Sequence, residues 1–271
     1  MDSTADEIRN TVRNHYGRVA ASAETDADPS GRGCSCGRYA DEDLTLLPSE
    51  AVVSSRGCGN PTALAALQPG EVVLDLGSGG GLDAFLASQR VGSTGFVYGV
   101  DATPEMIDLA RRNAERAGIE NVRFLPGDLE AIPLPDSTVD VILSNCVVNL
   151  TPDKAQALSE AGRVLRPGGR LAISDIVIDP DLDGFPVGAQ EIRRALDWAG
   201  CAAGAMTRGE WENALTAAGF ESIAIEVDYR MEADELPRQG SSLAGALNAD
   251  ELRQLASRFT SSLISARKPV A

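Results

Sequence analysis

The chain has a single histidine, His15, among 271 residues. That scarcity excludes His-rich zinc sites and most Ser-His hydrolases, whose base is an imidazole. Aromatic residues make up only 4% of the chain, a thin supply for a pocket built around an aromatic substrate. Basic residues are few as well: 24 Lys and Arg stand against 40 Asp and Glu, a formal net charge of −16. Nucleic acids and anionic membrane surfaces both need a basic footprint, so neither is an expected partner. No apolar run approaches the roughly 18 residues of a membrane span. Met1–Asn10 is polar and acidic, unlike the apolar core of a signal peptide. Internal repeats and low-complexity tracts are absent. A soluble, cytoplasmic chain is expected, its acidity serving solubility or a salty habitat.

What is present is a core-forming chain, 43% hydrophobic, long enough for one α/β domain and a smaller appendage. Thr4–Ala20 reads as a helix: Thr4 and Glu7 fit a capping box, and Ile8, Val12, Tyr16 and Val19 recur at helical spacing. Ser22–Asp43 reads as a long Gly-, Asp- and Ser-rich loop, and Pro48–Leu67 as short helical pieces around a turn at Cys58. From Glu71 strands and helices alternate. Strands are expected at Glu71–Asp75, Gly95–Asp101, Val122–Leu125, Val139–Ser144 and Arg170–Ile176. Helices are expected at Leu82–Arg90, Pro104–Ala117 and Pro152–Leu165. This rhythm predicts an α/β fold: a doubly wound, mostly parallel Rossmann-like sheet with helices on both faces. Asp179–Met206 reads as an insertion with a helix at Gln190–Ala199. Thr207–Ala218 reads as a capped helix, Ile223–Tyr229 and Phe259–Ala266 as final strands, and Glu232–Gln254 as polar and loosely packed. Three segments result: residues 1–70 as helix, cysteine loop and cap, 71–178 as the α/β core, and 179–271 as a covering insertion and sheet completion.

A parallel sheet binds ligands beyond the carboxyl ends of its strands. There the first strand runs into Asp75-Leu76-Gly77-Ser78-Gly79-Gly80-Gly81. The dinucleotide fingerprint, counted from Gly77 and Gly79, needs a small residue where Leu82 stands, so this loop departs from it. Gly77, Gly79 and Gly81 behind an acid suit a nucleoside that carries an amino acid rather than a pyrophosphate. S-adenosylmethionine is such a ligand. Asp75, directly or through water, suits its ammonium group. Asp101, followed by Ala102 at the end of the second strand and about 20 residues beyond the loop, suits its ribose diol. Gly127-Asp128-Leu129 follows the third strand, where Asp128 suits the adenine amino group.

Five cysteines in an intracellular chain are more often ligands, redox groups or small buried residues than structural bridges. Cys58 lies in the turn Arg56-Gly57-Cys58-Gly59-Asn60-Pro61. Cys146 lies just past the fourth strand, in Ser144-Asn145-Cys146-Val147-Val148-Asn149-Leu150, facing the same crevice as the loop. Cys201 lies in Gly200-Cys201-Ala202-Ala203, on the insertion that covers it. Cys34 and Cys36 sit in the polar N-terminal loop. No Cys-x-x-Cys pair suggests zinc. A methyl-donor site beside a thiol cluster points to methylation of something that thiols hold, and thiolates select soft ions.

The stretch Glu71–Ile176 resembles class I S-adenosylmethionine-dependent methyltransferases. That resemblance implies that Asn145 lies beside the methionine part of the cofactor and that Tyr16-Gly17 closes over it. From about Tyr16 to Tyr229, with its three cysteine motifs, the chain closely resembles arsenite S-adenosylmethionine methyltransferases. The resemblance implies arsenic detoxification, with Cys146 and Cys201 as the arsenic-binding pair. It implies a redox and transfer role for Cys58, and help from one N-terminal cysteine, Cys34 or Cys36. Methylation oxidises trivalent arsenic, so thiols forming a disulfide would return two electrons, and thioredoxin or glutathione would reset them. Two other readings stand: a C- or O-methyltransferase of a small organic molecule, and a thiol protein that sequesters metalloids without turnover. The first lacks an obvious base and aromatic pocket. The second has no use for a cofactor loop.

Overall fold

A computed structural model describes residues 4–23, 39, 44, 45, 47–196, 201–236 and 246–270. One eight-stranded sheet carries the fold, with strands β1 Val72–Leu76, β2 Phe96–Asp101, β3 Val122–Pro126, β4 Val139–Asn145, β5 Leu165–Ile178, β6 Met206–Thr207, β7 Glu221–Arg230 and β8 Phe259–Arg267. Its order is β3-β2-β1-β4-β5-β8-β7, with the short β6 beside β5. Strands β1 to β5 run parallel, and β8 is antiparallel to both β5 and β7. The strand order reverses between β1 and β4, the place where open α/β sheets bind ligands.

Both faces of the central parallel strands are covered, so β1, β4 and the second half of β5 are largely apolar runs, whereas β3 at the edge is only partly buried. The pleat sorts them by parity. Val73, Val97, Val141 and Leu143 pack with Phe85 and Ile107 on one face. Leu74, Leu76 and Ile142 pack with Leu158 and Trp211 on the other. The covering helices are α4 Leu82–Val91, α5 Pro104–Ala117, α6 Lys154–Val164 and α8 Arg208–Ala217. They follow α1 Ala5–Ala23, α2 Ser49–Ser54 and α3 Pro61–Ala65. The ends follow local chemistry. Thr4 and Glu7 bond reciprocally before α1. Helix α5 starts at a proline and stops at Gly118 in left-handed conformation. Thr207 and Glu210 form a capping box on α8.

Four elements differ from expectation, the first being β6, a two-residue strand at the expected junction of insertion and capped helix. Strand β5 begins at Leu165, which pairs with Val139 ahead of a register shift. The insertion helix α7 spans only Ala189–Arg194. The stretch expected to be loose, Glu232–Gln254, runs into helix α9, Ala249–Ala256, capped by Asn248 and Glu251. Leu236 and Leu247 from this stretch, and Leu255 just past it, are buried in a third cluster with Cys146, Cys201, Ile192 and Phe259. Leu236 and Leu247 stand too far apart to show a period, whereas Leu255 belongs to the apolar face of α9 with Leu252 and Ala256.

Candidate functional site

A crevice opens beyond β1, β2 and β4, between the glycine loop, α1 and the Cys58 turn. Tyr16, Gly77, Ser78, Gly79, Asp101, Ala102, Leu129, Asn145 and Cys146 all line it, so most residues expected at the cofactor share one wall. Gly77 and Gly79 have φ of +69° and +50°, a conformation open to glycine at no steric cost. At Gly79 a β-carbon would meet nothing, so the backbone there faces open space. Asp101 braces the loop: its Oδ2 accepts from the Gly79 N–H at 2.9 Å and its Oδ1 from the Thr103 N–H at 2.8 Å.

Asp75, Gly81, Gly127 and Asp128 do not form the wall. Asp75 is 2% exposed, and its Oδ2 has no hydrogen-bond partner among the described residues. Asp83, which the sequence reading did not single out, lies on the wall instead. Asp128 accepts from Arg13 of α1 at 2.7 Å, and Glu130 pairs with Arg9 at 3.3 Å. These two pairs tie α1 beside the crevice. Burial pushes the Asp75, Asp83 and Asp101 carboxyls above the usual range, and for Asp75 the neighbouring Asp83 and Asp101 charges add to it. Buried acids close together, one with an orphaned oxygen, fit a cationic ligand. The buried Ser78 hydroxyl likewise has no partner among the described residues. This donor and acceptor set suits the ammonium, sulfonium and ribose of S-adenosylmethionine.

Asn145 joins this wall to the thiols. Its Oδ1 accepts from the N–H of Cys58 at 2.8 Å and of Gly59 at 3.3 Å. Its Nδ2 donates to the Tyr39 hydroxyl at 2.8 Å, the Gly59 carbonyl at 2.8 Å and Asp83 at 3.1 Å. Tyr39 donates to Asp83 at 2.7 Å, and Thr62 donates to it at 3.2 Å. A β-carbon on Gly57 would run into the Asn145 side chain, so the turn before Cys58 needs glycine for this approach. Tyr39 was missed because nothing local marks it. Asp83 was missed because a carboxylate in a first helical turn usually only complements the helix dipole.

Cys58 and Cys146 form a disulfide, with Cα atoms 5.9 Å apart. Cys201 is buried and donates its thiol to the Cys146 carbonyl at 3.1 Å. Cys146 and Cys201 have φ of +55° and +62°, left-handed positions that disfavour any β-carbon. The Cys58 carbonyl accepts from Ser261 of β8 at 2.6 Å, and its sulfur lies 3.7 Å from Ser174 Oγ. A carboxylate oxygen of Asp175 lies within 4.8 Å of both bridged sulfurs. Asp175 accepts from the Asn149 side chain at 2.9 Å and from the Ile176 N–H at 2.8 Å, and burial pushes its pKa up to about 7. Asn149 stands inside the cysteine motif. Asp175 comes from β5, where a strand alone is expected. Cys34 and Cys36 lie outside the described residues.

The chain is similar to known proteins over most of its length. A family described as a methyltransferase domain matches residues 67–219. The arsenite methyltransferase of Halobacterium salinarum is 40% identical, over 99% of this chain and 68% of its own length. The human arsenite methyltransferase is 33% identical, over 74% of this chain and 54% of its own. The chain thus spans about two thirds of the archaeal relative and about half of the human one. The crystal structure of an arsenic(III) S-adenosylmethionine methyltransferase from Chlamydomonas reinhardtii matches with a TM-score of 0.67 at 33% identity, covering 84% of this chain and 72% of that one.

Proposed function

The chain belongs to the arsenite methyltransferases, enzymes that use S-adenosylmethionine, and from that premise we propose that its three described cysteines hold and reduce arsenic during methyl transfer. The observation that carries this reading is the convergence of Cys58, Cys146 and Cys201 at the edge of the cofactor crevice. Trivalent arsenic is soft and trigonal, and reduced Cys146 and Cys201 are its pair of ligands. Cys58 is a third thiolate for inorganic arsenite. A methylated arsenical already has one position filled by carbon and needs only two.

S-adenosylmethionine, when bound, supplies an electrophilic methyl group for the arsenic lone pair. Asp83 and Asp75 favour its ammonium, Asp101 its ribose, and Leu129 and Ala102 flank the adenine side, with Gly127-Asp128 following behind. Tyr16 of α1 closes the crevice. The chain's main contribution is positioning, which can be worth roughly 7–11 kcal/mol for two well-aligned reactants. Asn145 serves this directly, because one side chain fixes the Cys58 turn against the cofactor wall.

Methylation takes arsenic formally from the trivalent to the pentavalent state. Two thiolates, Cys58 and Cys146, return two electrons and become the disulfide, leaving arsenic trivalent. A dithiol such as thioredoxin, or glutathione, then breaks that bond by exchange and carries the disulfide away. Cys34 or Cys36 assists as an additional thiol in this relay. Such reductants are cytoplasmic, which is where we place the protein. Among the described residues no helix is long and apolar enough to cross a membrane.

The test is a product profile on arsenite and on monomethylarsenite, with thioredoxin or glutathione present. Cys58→Ser should lose activity on arsenite and keep part of it on monomethylarsenite. The double change Cys34→Ser with Cys36→Ser should behave the same way. Full activity of Cys58→Ser on arsenite would make Cys58 structural. A wild-type protein that binds arsenic without methylating it would turn the reading to sequestration.

A further inference from the structure

Three charged side chains line the crevice: Asp83, Asp101 and Arg56. The two acids are committed within the protein, Asp83 to Tyr39, Thr62 and Asn145, and Asp101 to two backbone N–H groups. Neither pairs with the guanidinium. Arg56 is half-buried. Its Nη1 donates to the carbonyls of Val53 and Ser55, both at 2.8 Å. These bonds pin the head group to the end of α2. Among the described residues its Nε and Nη2 make no hydrogen bond and it has no ion-pair partner. Three N–H donors of a half-buried cation are therefore unspent on the wall of a ligand crevice.

A planar guanidinium with one nitrogen anchored and the rest uncommitted presents the fork that a carboxylate fits. The amino-acid tail of S-adenosylmethionine ends in a carboxylate beside an ammonium. A wall with clustered acids and one cation matches that pair of opposite charges. Arg56 also lies two residues before Cys58. The methyl group must come close to the thiols, so the methionine end of the cofactor belongs on this side, and the ribose by Asp101.

We propose that Arg56 binds the carboxylate of S-adenosylmethionine and makes the site selective for an intact amino-acid tail. The proposal rests on the cofactor reading above and names one of its recognition groups. Glutathione attached to arsenic also carries carboxylates, so the test is done without arsenic or glutathione.

Calorimetric titration of three nucleosides separates the cases. These are S-adenosylmethionine, decarboxylated S-adenosylmethionine, which differs from it only by the carboxylate, and 5′-methylthioadenosine, which lacks the whole tail. The wild type should prefer the intact tail over the decarboxylated one by on the order of 10- to 100-fold, the scale of a charge-assisted hydrogen bond. Arg56→Met should remove that preference, Arg56→Lys should retain part of it, and both should bind 5′-methylthioadenosine as the wild type does. An undiminished preference in Arg56→Met would overturn the proposal while leaving the cofactor site intact. An equal loss for 5′-methylthioadenosine would assign Arg56 to holding the end of α2, and would also overturn it. A wild type that binds none of the three would sink the cofactor reading itself.

Discussion

The two sides of the crevice use the same backbone conformation with different residues. On the cofactor side, left-handed φ is taken by Gly77 and Gly79. On the thiol side it is taken by Cys146 and Cys201. For glycine that conformation is free, whereas for a residue with a β-carbon it costs roughly 1–2 kcal/mol. A glycine at 146 or 201 would relax the chain, so what the cysteines contribute is the sulfur. The glycine side is built for close approach of a ligand to backbone. The cysteine side holds strained backbone to aim two side chains, a pattern found where geometry serves function.

The comparison predicts separable functions, and the largest effect tests it hardest. Cys146→Ser or Cys201→Ser should lower turnover of monomethylarsenite at least ~100-fold, because a hard, poorly acidic hydroxyl replaces a soft ligand. Affinity for S-adenosylhomocysteine should stay within about twofold. If calorimetry shows it collapsing along with activity, the two sides are one cooperative unit and the contrast fails.

Next comes Asp101→Ala. It removes the brace on Gly79 and an acid from the wall, and should weaken S-adenosylmethionine binding on the order of tenfold or more. Binding of one arsenic per reduced protein should be unchanged, as read by titration of the thiols.

A smaller effect follows from pH. The raised carboxyls of Asp75, Asp83 and Asp101 must be ionised to favour a cationic tail. Affinity for S-adenosylmethionine should therefore rise as pH increases through their raised pKa values and then level off. For the ligand-free protein the sign reverses. The folded state holds these protons where the unfolded chain has released them, so stability should decline as pH rises from about 4 through the same window. Asp101→Asn should flatten both curves, and unchanged slopes would remove these acids from the account.

The smallest effect bears most directly on the strain. Cys201→Gly should be more stable than Cys201→Ala by about 1 kcal/mol, or roughly 2–4 °C in Tm for a chain of this size. Both should be inactive. Equal melting temperatures would mean that position 201 stores no strain.

Much of this crevice could be read from the sequence, for identifiable reasons. Parallel strands buried on both faces are apolar runs, so β1, β4 and the second half of β5 announced themselves, and the glycine loop and Asp101 followed from the ends of β1 and β2. The cysteine motifs were local enough to mark Cys58, Cys146 and Cys201. The groups that connect them were not local. Tyr39 reaches Asp83 across 44 positions and Asn145 across 106. Ser174 stands opposite Asn145 only because of the register between β4 and β5, and Ser261 reaches Cys58 only because β8 lies against β5. Helix α9 was legible and passed over: Asn248 and Glu251 form its capping box, and Leu252, Leu255 and Ala256 stand at helical spacing. Spacing reveals elements, and the polar contacts that make a site from them depend on how the sheet is ordered.

On the proposed reading, the Cys58–Cys146 bond would give the cycle a built-in stop. It would tie up two of the three thiols that admit inorganic arsenite, so the protein that has just completed a round cannot begin another. Throughput is then metered by the supply of reducing equivalents as well as by the supply of arsenic. A cell short of reduced thiols would hold its enzyme shut with the metalloid still outside, spending no methyl donor until the thiol pool recovers.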